Sequence, residues 1–282
     1  MKSIRWLKLS MITPLVALLM LPCEASYAET PLFKPTWLNK GVYVEYTFGE
    51  GVVELFNNTS RLGFDFVTFH GAIFRWDCID LNETLAKLKI SLILTEAARN
   101  GETTEENKTT QLTTEVLINI MNRAVYLQNG TLIGTTHLWL PANPTLGDSL
   151  ILWDVPPYKV ILKIAEQTAY APETPQGPQE VFKIEGSGET GGSVSLFTIL
   201  SDLDTGILVD GGLDNEGTMR ALNIRDFSYS GRMLFTDTNI DLGPKGTSFD
   251  LTALFGFLAI PVAFIIIFIA IYRSSRKNRG KR

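Results

Sequence analysis

The chain has 282 residues and a net charge of −5, but its charges are unevenly distributed. Six basic residues fall in the last ten positions and three in the first eight. Residues 29–253 therefore keep 16 basic and 29 acidic side chains, a net charge of −13. Because nucleic-acid binding depends on lysine and arginine neutralising phosphates, this acidic segment excludes that class of partner. Its length allows one large β-domain or two small ones.

The N-terminal segment has the regions of a secretory signal peptide. Basic residues precede an apolar stretch from Met11 to Leu21, and small residues then precede a cleavage site after Ala28. The apolar stretch is too short to span a bilayer comfortably. We therefore expect residues 1–28 to be removed, and Cys23 with them.

A segment of nineteen uncharged residues, Leu254–Tyr272, predicts a single membrane-spanning helix. At about 1.5 Å per residue the helix reaches about 28 Å, close to the thickness of the hydrocarbon core. The tail 273–282 carries six positive charges and no negative one, which predicts a cytoplasmic tail. Residues 29–253 are then extracytoplasmic, and the protein is a single-pass protein of the cell membrane. A lone span without ionisable residues argues against a transporter or a channel.

Apolar and polar residues alternate through most of residues 29–253, which predicts an all-β fold. Asn129-Gly130 and Asp204-Thr205-Gly206 predict tight turns. The pattern indicates an antiparallel meander and leaves open a curled sheet, a barrel or a sandwich. The candidate strands are 42–48, 51–56, 64–69, 72–79, 88–94, 116–120, 123–128, 131–140, 149–153, 158–170, 180–185, 194–200, 207–210, 219–229 and 232–236.

Two segments interrupt this pattern and are interpreted as hairpin loops. Ala169–Pro178 contains three prolines, and Glu185–Ser193 is rich in glycine. The second segment lacks the lysine and the following helix that a phosphate-binding loop requires.

Five Asn-X-Ser/Thr tripeptides predict a glycosylated surface. Asn107 lies in a polar stretch, 100–111, that predicts an exposed loop. The candidate acceptors are Asn57, Asn58, Asn82, Asn107 and Asn129.

Cys78 is the only cysteine left after cleavage, so no intramolecular disulfide can form. It falls on the aromatic face of a predicted strand. We expect it to be buried and unreactive.

No residues form a recognisable catalytic, cofactor or metal motif, so no enzyme activity and no cofactor are predicted. Five carboxylates, the ligands that calcium prefers, lie close together, but an EF-hand numbering places Ile207 where glycine is required. Turn chemistry explains the same residues. The carboxylates are Asp202, Asp204, Asp210, Asp214 and Glu216.

In its topology and strand pattern the chain resembles archaeal surface proteins that have a signal peptide, a β-rich ectodomain and a basic-tailed C-terminal helix. The residues behind this resemblance are Gly41-Val-Tyr-Val-Glu-Tyr46, Gly134 with Leu138-Trp139, Gly147-Asp148, and Asp204-Thr205-Gly206-Ile207-Leu208. The same spacing of strands and turns looks like lipoprotein carriers of the LolA type. That likeness implies a half-barrel that holds acyl chains, although the lipid-anchor cysteine of carrier lipoproteins is missing here.

The function we expect is that of a membrane-anchored surface domain that binds or scaffolds a protein or envelope partner without catalysis. A first alternative is a carrier of a lipid or another apolar ligand. A second is an extracytoplasmic hydrolase, which would need His70 or His137 within hydrogen-bond reach of a carboxylate and a hydroxyl. The candidate lining of the carrier is Phe64, Phe66, Phe69, Phe74 and Trp76.

Overall fold

The structure is a computed structural model that describes residues 35–57, 59–100, 109–171, 174–190, 193–213 and 216–242. The predicted signal peptide 1–28, the predicted span 254–272 and the tail 273–282 lie outside these residues. So do the candidate acceptors Asn58 and Asn107. The helical structure in the described ranges includes no segment with the length and hydrophobicity of a membrane span.

The described residues form mostly antiparallel β-sheet, which confirms the all-β prediction. The strands are β1 Tyr43–Phe48, β2 Gly51–Phe56, β3 Phe64–Phe69, β4 Gly71–Leu81, β5 Leu85–Thr95, β6 Ala98–Arg99, β7 Thr109–Asn119, β8 Ala124–Tyr126, β9 Leu132–Thr135, β10 Ser149–Val155, β11 Tyr158–Ala171, β12 Gln179–Thr190, β13 Ser193–Asp202, β14 Leu208–Gly211, β15 Ile224–Tyr229 and β16 Leu234–Thr238. A short helix, α1 Gly217–Ala221, precedes β15.

These strands form three sheets. Sheet A has seven strands in the order β16-β1-β4-β5-β7-β8-β9, and sheet B has four in the order β15-β2-β3-β6. Sheet C has five strands in the order β10-β11-β12-β13-β14. Sheet C is a meander in which every strand pairs with its neighbour along the chain.

Sheets A and B meet at a corner where four strands bend. The order β16-β1-β4-β5 in sheet A repeats as β15-β2-β3-β6 in sheet B, and His70 alone separates β3 from β4. Bent strands of this kind form the corners between packed sheets. Gly51 is required there, because a Cβ at this position would lie 2.2 Å from the Ser228 carbonyl oxygen. The stacked rings of Phe69 and Phe227, 5.7 Å apart, fill the corner.

The main core lies between sheets A and C. The Tyr46 hydroxyl of β1 donates a hydrogen bond to the Leu208 carbonyl oxygen of β14 at 2.8 Å, and Tyr46 is fully buried. The rings of Trp76 and Trp139, also buried, lie 6.0 Å apart. Because a buried tyrosine hydroxyl needs a partner, this contact fixes β1 against β14.

The predicted turns and the proline-rich hairpin are confirmed. Gly130 has φ +84° and Gly206 has φ +74°, the left-handed conformation that favours glycine in tight turns. Strands β11 and β12 pair on both sides of the proline-rich segment, with Ala171 opposite Gln179. This segment therefore joins two strands of one sheet.

The glycine-rich segment is strand rather than loop as far as Thr190. Val160 and Leu162 of β11 pack directly against its glycines. A Cβ at Gly188 would lie 2.4 Å from a Val160 methyl carbon, and one at Gly186 would lie 2.9 Å from a Leu162 methyl carbon. The glycines thus leave space for neighbouring apolar side chains. The sequence alone indicates only that glycine is conformationally free, and it does not show this packing role.

The strand predicted over 219–229 begins only at Ile224. Residues 217–221 form α1 instead, because the Glu216 side chain caps the helix by accepting a hydrogen bond from the Thr218 N–H. Glu216 is fully buried, and the same side chain also pairs with His137.

Candidate functional site

A buried ion pair joins the end of β9 to the start of α1. The side chains of His137 and Glu216 are 3% and 0% exposed, and His137 Nδ1 lies 3.0 Å from Glu216 Oε2. The His137 backbone N–H also donates to Oε2, at 2.7 Å. On the other side of the ring, Nε2 lies 3.0 Å from the Gly212 carbonyl oxygen.

The pKa values of both groups are shifted toward the charged forms. Burial lowers the pKa of His137, but the charge and hydrogen bond of Glu216 outweigh it and raise that pKa above its ordinary value. Burial likewise raises the pKa of Glu216, and the charge and hydrogen bonds of His137 reverse the shift. Since both ring nitrogens face acceptors, His137 is assigned the doubly protonated form.

Arg123 is a second buried cation near this pair. It is 6% exposed, and its guanidinium donates to the carbonyl oxygens of Thr136, at 3.0 Å, and Ile151. Burial lowers the pKa of Arg123 to about 10, against the opposing effect of Glu216, so the group stays charged at neutral pH. The guanidinium thereby connects the segment after β9 to β10.

The arrangement is suited to holding segments together. Glu216 Oε1 accepts weak hydrogen bonds from the Thr218 N–H and hydroxyl, at 3.4 Å and 3.3 Å. His137 has its two nitrogens directed at Glu216 and Gly212, and among the described residues neither nitrogen makes a hydrogen bond to a hydroxyl group. General-base chemistry would require such a hydroxyl within reach of the ring.

Comparisons with models of protein families, with curated proteins and with solved structures find no match. The site is therefore interpreted from its own geometry.

A cavity of about 330 Å³ lies beside the ion pair. Its walls include His137, Gly212, Tyr229 and the β13 segment from Leu196 to Leu200. The cavity thus lies alongside β13, next to the C-terminal end of β14.

The second histidine lies elsewhere, at the corner between sheets A and B. His70 Nδ1 is 3.3 Å from Glu96 Oε2, and both side chains are largely exposed. An open groove of about 490 Å³ runs beside His70, Phe69 and Tyr229. The two histidines are therefore not brought together, and the hydrolase alternative stays a prediction.

The carboxylates considered for calcium have separate partners. Asp202 Oδ1 accepts hydrogen bonds from the Thr205 N–H and hydroxyl, at 2.8 Å and 2.6 Å, as expected of turn chemistry. Asp210 pairs with Arg232 at 2.6 Å, while Asp214 lies outside the described residues. Across the described ranges, no group of three or more His, Cys, Asp or Glu side chains is arranged to hold a metal ion.

The aromatic residues proposed to line a lipid site fall on different faces. Phe64 and Phe66 lie on the outer face of sheet B, where their rings are 5.0 Å apart and Phe66 is 38% exposed. Phe69, on the opposite face of β3, is buried, as are Phe74 and Trp76. The five side chains therefore do not form one continuous lining, and the carrier alternative stays a prediction.

The described glycosylation candidates differ in their surroundings. Asn82 and Asn129 are exposed, and each uses its carboxamide oxygen to accept a backbone N–H two residues ahead, at 2.9 Å and 3.0 Å. Asn57 accepts the Thr59 N–H in the same way, at 2.9 Å, but it also donates its amide nitrogen to Asp65 at 2.7 Å. Asp65 is 5% exposed and also pairs with Arg99, so this amide belongs to a packed cluster.

Cys78 is 1% exposed, and burial raises the pKa of its thiol to about 11. Such a thiol is almost entirely protonated at neutral pH and is a poor nucleophile. The expectation of a buried residue is confirmed.

Sequence reasoning named both members of the ion pair but did not connect them. His137 was considered as a catalytic candidate and Glu216 as a calcium ligand, and 79 residues separate them. Arg123 was missed altogether. Its only signal was a basic residue inside an apolar run, and that signal does not identify a partner.

Proposed function

We propose that the protein is a membrane-anchored, extracytoplasmic β-domain that binds or scaffolds a protein or envelope partner and carries out no catalysis. The buried ion pair supports the non-catalytic part, because its hydrogen bonds are directed at the protein itself. The acidic segment 29–253 and the basic tail support the outward orientation.

The observation that carries the proposal is that both ends of the described chain lie at one end of sheet C, which we call the base. Near residue 35, Trp37 Nε1 donates to the Thr205 carbonyl oxygen at 2.8 Å, just beyond β13. At the other terminus, the Leu242 N–H donates to Gln176 Oε1 at 2.9 Å, just before β12. The predicted anchor would therefore continue from the base.

The hairpin of β12 and β13 extends away from the base. Twelve residues of β12 span about 40 Å at roughly 3.3 Å per residue. An anchor at the base would leave the far end of this hairpin free to meet a partner. This is the arrangement that a surface-binding domain requires.

The topology is tested by labelling single cysteines in the full chain with a membrane-impermeant maleimide. Leu146, which is 61% exposed, is changed to cysteine in one variant, and Ser275 of the tail is changed in another. Leu146→Cys should react in intact cells, and Ser275→Cys only after lysis. The unmodified chain is the blank, because Cys78 is buried. The opposite labelling pattern would reject the topology.

Binding is tested by chemical crosslinking of the full chain in its native membranes. A crosslinked product larger than the single chain is expected. A chain that is correctly oriented but forms no such product, with itself or with another protein, would contradict the binding role.

A further inference from the structure

The cavity beside the ion pair and the groove beside His70 share one wall residue, Tyr229. Tyr229 is half-buried, and its ring stands steeply tilted against the Phe48 ring, with the two centroids 4.8 Å apart. A ring packed in this way has a fixed orientation. We call the two cavities together, with Tyr229 between them, the polar groove.

Hydroxyl groups line both parts of the polar groove. The strand register places Thr68, Val52 and Ser228 side by side across sheet B, and Thr68 and Ser228 are exposed. Ser230 lies in the same part, and Thr198 of β13 is exposed in the other part. Because a hydroxyl group both donates and accepts hydrogen bonds, these side chains match a ligand that carries many hydroxyl groups of its own.

A carboxylate is held in place in the wall next to β13. Asp210 Oδ2 accepts a hydrogen bond from the Arg232 guanidinium at 2.6 Å, and Oδ1 accepts one from the Gly211 N–H at 2.7 Å. These bonds fix the orientation of the carboxylate. Since a carboxylate has about four acceptor positions, Asp210 can still accept a hydrogen bond from a ligand.

The part of the groove at the corner has polar groups of the same kind. Glu50 and His70 line it, and both are exposed. His70 is oriented by Glu96, whose backbone has φ +50°, the left-handed conformation that is rare outside glycine. Backbone strain of this kind is concentrated at functional sites.

The wall next to β14 is already formed in the described structure. A Cβ at Gly211 would lie 2.5 Å from the Thr198 carbonyl oxygen, so β14 approaches β13 closely at this point. The next residue, Gly212, has its carbonyl oxygen 3.0 Å from His137 Nε2. The buried ion pair therefore holds this wall in position, as expected of a preformed binding site.

The lining disfavours an anion and an acyl chain as the ligand. Among the described residues that line the groove, the only basic side chains are His70 and His137, and each is paired with a glutamate. A phosphate would thus meet carboxylates without an available cation. An acyl chain would bury Asp210, Glu50 and the hydroxyl groups without hydrogen-bond partners, which is costly.

We propose that the polar groove binds a carbohydrate chain of the cell envelope. This inference rests on the proposed binding function and names the chemistry of its partner. Sugar hydroxyl groups would donate to Asp210 and Glu50, and the C–H faces of the sugar rings would pack against Tyr229 and against Leu196, which is 84% exposed in the wall. Cavities of about 330 Å³ and 490 Å³ on either side of Tyr229 suit several linked sugars.

Binding is tested with the full chain in a detergent whose headgroup is not a sugar. The probe is an array that carries common neutral oligosaccharides, glycans released from the envelope of the protein's own host, and peptides from the same envelope. We expect binding to oligosaccharides and not to the peptides. Binding to no carbohydrate, or to the peptides alone, would overturn the inference.

Substitutions then locate the site, with the affinity for the best oligosaccharide as the measurement. Asp210→Asn and Glu50→Gln should each weaken binding about tenfold or more, because each removes a charged acceptor from one part of the groove. Asp154→Asn is the matched control, since Asp154 pairs with Lys159 at 3.5 Å outside the groove, and its affinity should be unchanged. Glu50 is exposed, so Glu50→Gln should fold even if Asp210→Asn does not. Unchanged affinity in Glu50→Gln would exclude a ligand that spans both parts.

This inference and the proposed function can fail separately. If crosslinking in native membranes captures a protein while no carbohydrate binds, the carbohydrate site is rejected and the proposed function stands. If no carbohydrate binds and nothing is captured, both are rejected.

Discussion

At the scale of single residues, the ion pair of His137 and Glu216 stabilises the fold within a defined range of pH. His137 has a raised pKa, so its contribution is fully present below its ordinary value of 6.5 and is lost as the pH rises through the folded-state pKa. Glu216 has a lowered pKa, so its contribution is present above its ordinary value of 4.5 and is lost as the pH falls through its folded-state pKa. The pair therefore contributes most between these two values.

Removing the cation of this pair should be costly. His137→Gln leaves Glu216 buried without its main partner, and we expect the free energy of unfolding at pH 6 to fall by about 3–5 kcal/mol. The loss should shrink as the pH falls, because Glu216 can then bind a proton. Denaturant unfolding from pH 4 to 8 measures both effects, with the exposed His70→Gln as the control. Equal stability of the two variants at pH 6 would contradict the assignment of the ion pair.

The surroundings of the asparagines predict which of them carries a glycan. Asn82 and Asn129 should be acceptors, because they are exposed and their turns use only the carboxamide oxygen. Asn57 should not be one, because a glycan on its nitrogen would replace the hydrogen bond to Asp65. The intact mass of the protein from its own host should fall by one glycan each in Asn82→Gln and Asn129→Gln. A glycan-sized loss in Asn57→Gln would disprove this assignment.

At the scale of elements, alternation of apolar residues was enough to find most strands, since one face of each strand is buried. It was not enough where an end cap or a neighbouring strand decides the structure. Glu216 converts the start of a predicted strand into α1, and the packing of Val160 keeps the glycine-rich part of β12 in the sheet. The first effect is local, because Glu216 lies directly before α1, whereas the second depends on Val160, which is distant along the chain from Gly188.

The tight packing of Gly188 gives a test at this scale. Gly188→Val should lower the free energy of unfolding by about 1–3 kcal/mol, because its Cβ would lie 2.4 Å from a Val160 methyl carbon. Ser187→Val, on the exposed face of the same strand, is the control and should have little effect. The midpoints of denaturant unfolding compare the two variants. A valine at position 188 that is tolerated as well as one at 187 would mean that β11 does not pack there.

At the scale of the whole molecule, the contact between Tyr46 and Leu208 links sheets A and C. Tyr46→Phe removes the hydroxyl and leaves the Leu208 carbonyl oxygen buried without this donor, which should cost about 1–3 kcal/mol of unfolding free energy. Tyr43→Phe is the control, because the Tyr43 hydroxyl bonds Asp237 at the exposed surface, and it should change stability little. Thermal unfolding of the full chain in detergent makes the comparison, and equal losses would argue against this link.

The sequence alone determined the all-β fold, the turns at Gly130 and Gly206 and the burial of Cys78. These features depend on neighbours one to four residues away. They can therefore be predicted from the alternation of side chains and from the conformational freedom of glycine. Tertiary structure decided the division into three sheets, the bent corner at Gly51 and the pairing of His137 with Glu216. Each of these depends on which distant strands become neighbours, and the period of a strand identifies its buried face but not the strand that will lie beside it.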